Sequence, residues 1–349
     1  MSTITNVSLV RSIPSGAPTV ADFKVSSAPT PAKESLRDGE ILVRTLYLSC
    51  DPYMRGRLSG RKDSYVASFE PGKSLSGGGV GVVEASSSAK FSAGDIVTGA
   101  DFQWRTVFVA PAAGFIKVPA AGAAEPVNVL GVFGMPSFTA YVGTVVLCKI
   151  KAGETILVSA ASGAVGQMVV QLAKARGARV IATAGSDDKV QFVKELGADV
   201  VFNYKTVGDY EAAIRSAAPG GFQAYFDNVG GEFLDAVLKC ISPNGRIAEC
   251  GMISQYNATS ETAYAIRNLS YVITSKLTIH GFIVSDYYAK PAYGEFVQEV
   301  SALLKDGKIQ YKIDEVVGLE NGPQALLDLF EGKNFGKRVV KVTGRSGRL

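Results

Sequence analysis

The apolar run Thr155–Ala160 leads directly into Ala160-Ala161-Ser162-Gly163-Ala164-Val165-Gly166, and a helical pattern follows without a gap. In that pattern Val165, Met168, Val169 and Leu172 recur at i, i+3, i+4 and i+7. A strand, a turn spaced AxGxxG and a helix form a cradle for a dinucleotide. Gly163 lets the backbone approach a pyrophosphate, Gly166 lets the helix pack on the strand, and the helix N-terminus supplies N–H donors and positive potential. The competing reading is a plain strand-to-helix turn, and the strand–helix alternation around the motif favours the nucleotide. The next strand then selects the cofactor. An NAD site places Asp or Glu about 20 residues beyond the glycines, on the ribose hydroxyls. Here the strand ends Ala182-Thr183-Ala184-Gly185-Ser186 without a carboxylate, and Lys189 stands one turn on, where its ammonium can meet a 2′-phosphate. The expected cofactor is NADP(H); the alternative for Lys189 is a solvated helix face.

Other chemistry is limited by the residue inventory. Ala67-x-x-x-x-Gly72-Lys73-Ser74 satisfies a loose phosphate-loop pattern, but Pro71 and the run Gly77-Gly78-Gly79 leave no helix to follow it. The chain's single histidine, His280, excludes paired-histidine metal sites and the HExxH signature. Cys50, Cys148, Cys240 and Cys250 are scattered with no CxxC pair. Lys and Arg number 36 against 32 Asp and Glu, net +4, and no five like charges run together. That balance argues against nucleic acid or an anionic membrane as partner. Met1–Val10 lacks a basic stretch before an apolar one, and no apolar run reaches the ~18 residues of a membrane span. The expectation is a cytoplasmic protein with reduced thiols; the final Gly347-Arg348-Leu349 is faintly like a peroxisomal tail.

The elements that must position these residues fall into two rhythms. Up to about residue 125, short runs such as Ile41–Ser49, Gly79–Glu84, Val107–Ala110 and Phe115–Val118 sit between Gly, Pro, Ser and Asp turns. They predict an antiparallel barrel or sandwich. From Thr155 onward, strand-like runs alternate with helices: Arg179–Thr183, Asp199–Asn203, Phe222–Asp227, Arg246–Cys250 and Leu277–Ile283. That alternation predicts a doubly wound parallel sheet. The fold class is therefore α/β, with a β-rich domain over 1–125 completed by 305–349 and a nucleotide-binding domain over 126–304.

Eight further segments, with the glycine turn, resemble one family. They are DPYMRGR at 51–57, GMPSFTAYVG at 134–143, AGSDDK at 184–189, NYK at 203–205, DNVGG at 227–231, ISQYN at 253–257, GFIVS at 281–285 and GKNFGK at 332–337. In order and across nearly the whole chain, they are similar to the zinc-independent medium-chain dehydrogenase/reductases that reduce double bonds: the alkenal, prostaglandin and curcumin reductases. The resemblance implies a GroES-like substrate domain, a Rossmann domain and NADPH. It places Gly163, Ala164, Val165 and Gly166 on the pyrophosphate, and Lys189 and Tyr204 on the 2′-phosphate. Asn228, Cys250, Gly251, Ser254, Tyr256, Phe282, Ile283, Val284 and Asn334 fall along the ribose and nicotinamide. Tyr256 becomes the donor to a carbonyl oxygen, and Tyr53 and Ser285 become pocket residues. The zinc relatives hold their metal with Cys and His. Here Cys50 lies near the first ligand position, the region Lys73–Gly79 has no histidine, and the four-cysteine loop is missing. The implied reaction is metal-free reduction of the C=C bond of a small enal or enone, in a homodimer. Two alternatives stand beside it: a quinone reductase of the same fold, and a non-catalytic NADPH-binding redox sensor. They are separated by product analysis and by NADPH oxidation with activated alkenes.

Overall fold

The structure is a computed structural model and describes residues 3–119, 122 and 124–342. The tail Gly347-Arg348-Leu349 lies outside the described residues. The chain divides into two units, residues 1–130 with 313–349, and residues 131–312. The second boundary falls beyond the residue 304 expected from sequence. The cause is visible in two glutamines: Gln171 accepts from Gln310 N (2.8 Å) and Gln167 accepts from Lys312 N (2.8 Å), tying the 310–312 segment to the nucleotide-binding unit.

In the first unit, β1 (Thr3–Leu9) pairs antiparallel with β2 (Phe23–Pro29). Next come β3 (Glu40–Ser49), the short helix α1 (Met54–Arg57), β4 (Ser76–Ser86), β5 (Ile96–Gln103), β6 (Val107–Pro111) and β7 (Ile116–Lys117). The phosphate-loop lookalike leads through Leu75 into strand β4, not into a helix, and Lys73 forms a 2.6 Å ion pair with Glu70.

The second unit opens with α2 (Met135–Tyr141). It alternates β8 (Thr155–Val158), α3 (Gly166–Ala175), β9 (Arg179–Ala184), α4 (Asp187–Glu195), β10 (Val200–Asn203), α5 (Tyr210–Ala217), β11 (Ala224–Asp227), α6 (Gly231–Cys240) and β12 (Arg246–Glu249). It ends with α7 (Tyr271–Thr274), β13 (Thr278–Gly281) and α8 (Pro291–Lys305). All pairings in this sheet are parallel, in the order β10-β9-β8-β11-β12-β13. The inner strands β8, β9 and β11 are mostly apolar because both of their faces are covered. Ile156, Val158, Phe226 and Ala248 pack with Met168, Val169, Leu172 and Phe296 on one side. Leu157, Ile181, Tyr225 and Ile247 pack with Ile214, Phe233 and Val237 on the other. The chain winds outward from β8 to β10 and then returns to β11 beside β8. That reversal opens a crevice at the carboxyl ends of β8 and β11, the place where such sheets bind ligands.

The last segment, β14 (Ile313–Val317), α9 (Gly322–Phe330) and β15 (Lys337–Lys341), completes the first unit. Its main sheet has the order β14-β15-β3-β4-β5-β7, with β6 on β3.

Candidate active site

The glycine turn lies at the crevice, between β8 and α3. A side chain on Gly166 would bring its Cβ to 2.5 Å from Ala160 O and 2.6 Å from Ala161 Cα, so only glycine lets α3 start against the strand. Ala160 itself takes φ +48°, turning the chain sharply out of β8. The first helical bond, Gln167 N to Gly163 O at 3.1 Å, places the N–H groups of Ala164, Val165 and Gly166 at the helix start. These are the donors a helix leaves without carbonyl partners, and they suit a pyrophosphate.

One strand outward, β9 and β10 end side by side, with Asn203 in register with Ala184. Tyr204 folds over Gly185: a Cβ there would lie 3.1 Å from its phenol oxygen and 3.4 Å from Cε of Lys205. Lys189 sits in the first turn of α4, where its charge helps hold the Asp188 carboxyl below the usual range, after the Ser186 hydrogen bond to that carboxyl. Asn203 donates to Asp187 Oδ1 at 3.0 Å and fixes the turn. Gly185 thus floors a recess beside Tyr204 and Lys205. Lys205 was not assigned by sequence; its signal is the position next to Tyr204 at the end of β10.

On the other side of the switch, β11 and β12 end together, with Asp227 in register with Glu249. Asn228 is held by Ser159 twice: its backbone N–H donates to the hydroxyl (3.0 Å) and its amide donates to the carbonyl (2.8 Å). The N–H groups of Cys250 and Gly251 donate to Asp227 O at 3.0 and 3.1 Å. Gly230 and Gly231 both take positive φ, +64° and +58°, and side chains there would collide with Met252 and with Ser254 and Gln255. The two glycines therefore let the 252–255 turn rest on the 228–231 turn, where Ser254 Oγ donates to Val229 O at 2.6 Å. Tyr256 closes this turn. Its phenol oxygen accepts from Met252 N at 3.3 Å and lies over Gly251, where a Cβ would be 2.9 Å away. Accepting an N–H polarises the phenol O–H as a donor. Burial pushes the Cys250 thiol up to about 12, so it is a neutral packing group.

Beyond the edge strand, Phe282 and Val284 pack on the main core of this unit, Ile283 is half-buried, and Ser285 is exposed. The structure thus gathers the glycine turn, Lys189, Tyr204, Asn228, Cys250, Gly251, Ser254, Tyr256 and the 282–285 segment at the carboxyl ends of one sheet. The two remaining sequence candidates belong to the other unit. Tyr53 precedes α1 and its phenol is pushed well above the usual tyrosine range, first by burial and then by the Asp51 charge. Asn334 lies in the turn before β15 and donates to Gly336 O at 3.0 Å.

Around Cys50 the donor set does not fit a zinc ion. Its thiol is pushed up to about 12 by burial, and the neighbouring Asp51 is taken by Lys337 (2.6 Å) and Ser49 (2.5 Å). Among the described residues, no group of three or more His, Cys, Asp or Glu is placed to hold a metal ion.

Comparison with known proteins agrees with this architecture. Residues 164–306 match the family described as zinc-binding dehydrogenase, and residues 7–118 match the N-terminal domain of oxidoreductase. The chain is 41% identical over 337 residues to an NADP(+)-dependent 2-alkenal reductase of Nicotiana tabacum, covering 96% of each protein. It is 39% identical over 328 residues to prostaglandin reductase 1 of Rattus norvegicus, covering 93% of this chain and 95% of that one. Among solved structures, CurA from Vibrio vulnificus in complex with NADPH superposes with a TM-score of 0.89 at 38% identity, covering 97% of this chain and 99% of that one.

Proposed function

Because the chain belongs to the double-bond reductase family of the medium-chain dehydrogenase/reductases, we infer that it is an NADPH-dependent reductase of the C=C bond of α,β-unsaturated aldehydes and ketones. The observation that carries the reading is the convergence of the glycine turn, the Lys189–Tyr204 recess and Tyr256 at the carboxyl ends of β8 to β12.

When bound, NADPH supplies a hydride to the β-carbon of the substrate. The residues of the chain bind and orient around that event. The N–H groups of Ala164, Val165 and Gly166 take the pyrophosphate, and Gly163 admits it. Lys189 and Lys205 neutralise the 2′-phosphate and Tyr204 adds a hydrogen bond, which together reject a cofactor lacking that phosphate. Asn228, Cys250, Gly251, Ser254, Phe282, Ile283, Val284 and Asn334 are assigned to the ribose and nicotinamide. As the β-carbon gains its hydride, negative charge gathers on the carbonyl oxygen, where Tyr256 donates a hydrogen bond, and the enolate then takes a proton from solvent at the α-carbon to give the saturated product. This role is supported by the Met252 N–H that holds the phenol oxygen. Tyr53 and Ser285 are assigned to the substrate pocket.

The reaction is proposed to need no metal, a reading supported by the surroundings of Cys50, where the neighbouring carboxylate of Asp51 is taken by Lys337. A cytoplasmic location is supported by four cysteines that all stand as free thiols. No helix among the described residues is long and apolar enough to cross a membrane. A homodimer is supported by the edge strand β13. Its Ile279 is 38% exposed, and the nearby Leu269 and Ile273 are 61% and 80% exposed, a poor surface to leave in water. Incubation with NADPH and a simple enone, followed by product analysis, tests the function. Saturated ketone supports it; an allylic alcohol, or no NADPH oxidation with any activated alkene, overturns it.

A further inference from the structure

Beneath the turns assigned to the nicotinamide half lies a pair of acids that the reaction itself does not use. Asp227 and Glu249 end adjacent parallel strands in register, so their side chains leave the sheet on the same face. Asp227 is fully buried. One of its oxygens, Oδ1, accepts from Tyr225 OH (2.7 Å), Val229 N (2.8 Å), Gly230 N (2.9 Å) and Ser159 Oγ (3.3 Å). The other, Oδ2, and both oxygens of Glu249 are buried without a donor. Three donorless carboxylate oxygens in one place are costly, and two charged carboxylates side by side are costlier. A single proton resolves both: one acid donates its O–H to the other. Asp227, with four donors on Oδ1, is the carboxylate, and Glu249 is the acid. Burial, then the Asp227 charge, pushes the Glu249 carboxyl up to about 8.

The surroundings provide no counter-charge. Ser159 follows β8, β11 presents Tyr225, and the Cys250 thiol follows β12. In β13 the position level with Glu249 is Gly281, and α6 packs Phe233 against Tyr225. Among the described residues no Lys or Arg makes an ion pair with either acid. The same Asp227 anchors both turns: its side chain holds Val229 and Gly230, and its carbonyl holds Cys250 and Gly251.

We propose that Asp227 and Glu249 form a one-proton carboxyl pair that holds the 228–231 and 250–251 turns in their NADPH-binding arrangement, so that loss of the shared proton weakens NADPH binding. The inference rests on the assignment of those two turns to the ribose and nicotinamide. Glu249 is a positioning residue here, acting through Asp227.

The sign of the effect follows from the direction of the Glu249 shift. An acid whose folded pKa is raised favours folding while protonated, so stability is lost as pH rises from the ordinary Glu range to about 8 and is level above it. Glu249→Gln keeps an N–H donor for Asp227 and cannot titrate. Thermal unfolding of the apoprotein from about pH 5 to about pH 9 therefore separates the two proteins. The difference in Tm, variant minus wild type, grows in favour of the variant up to about pH 8 and stays constant beyond. Coincident profiles overturn the shared proton. The binding arm uses NADPH and adenosine 2′,5′-bisphosphate, which carries the adenosine half alone. One unit above the pair's pKa, about a tenth of the free wild-type protein keeps the proton, so its Kd for NADPH rises about tenfold by pH 9. The Kd of the variant for NADPH stays level, as does that of the wild type for the bisphosphate. If the bisphosphate shows the same rise as NADPH, the pair does not act through the nicotinamide turns and the coupling is overturned. A level wild-type Kd for NADPH also overturns it.

Discussion

The two ends of the nucleotide cradle solve different problems with different chemistry. At the ends of β9 and β10 the groups are cationic and open to solvent: Lys205 is exposed and Lys189 half-buried, around a recess floored by Gly185. At the ends of β11 and β12 the groups are buried and acidic, with Asp227 tied by four donors and both turns braced by backbone bonds. The first end has to recognise a charge, which long flexible ammonium groups do at low cost in precision. The second has to fix a ring and a phenol in place, which needs short, desolvated hydrogen bonds. Selectivity and geometry are thereby separated along one sheet edge.

The sharpest way to break this contrast is at the switch point that both ends share. Gly166→Val forces a Cβ to 2.5 Å from Ala160 O, and the turn must move. The cost is about 2–4 kcal/mol of stability together with loss of NADPH binding, read by thermal unfolding and fluorescence titration. At the geometric end, Tyr256→Phe lowers kcat with an enone on the order of 10²–10³-fold, far more than it changes the Kd for NADPH. Full kcat in that variant removes Tyr256 from the chemistry. At the charged end the pattern inverts. Lys189→Ala raises the KM for NADPH about 10- to 100-fold, the worth of a charge-assisted hydrogen bond, with kcat and the weak use of NADH little changed. Equal rates with NADH and NADPH in the wild type contradict the role of Lys189 outright. Lys205→Ala, with the more exposed ammonium, raises the same KM about threefold. Smallest for catalysis is Ile273→Glu, which places a charge in the apolar patch beside β13. The expected light-scattering result is a monomer for the variant against a dimer for the wild type, with kcat per chain hardly changed.

The same contrast explains what the sequence makes legible. The parallel sheet is plain in the chain because both faces of its inner strands are buried and those strands are apolar runs between helical periods. The glycine turn and Lys189 are legible because they are local: the fingerprint spans seven residues and the lysine follows within one helix turn. Asp227 and Glu249 are 22 residues apart and meet only through the parallel register of β11 and β12, which no local pattern announces. Lys205 is hidden for a similar reason, since its value depends on β10 ending level with Gly185. The β1–β2 hairpin also escapes a reading by pattern, because β2 buries little of its surface and shows no apolar face. Tyr256 is carried by resemblance alone; what the structure adds is its bond to Met252 N and its place over Gly251.

Hydride delivery to a β-carbon is tested most directly by isotopic labelling. NADPH deuterated at the transferable position is consumed with a simple enone, and the product is read by NMR. Deuterium is expected on the β-carbon of a saturated ketone. Deuterium on the carbonyl carbon of an allylic alcohol contradicts it.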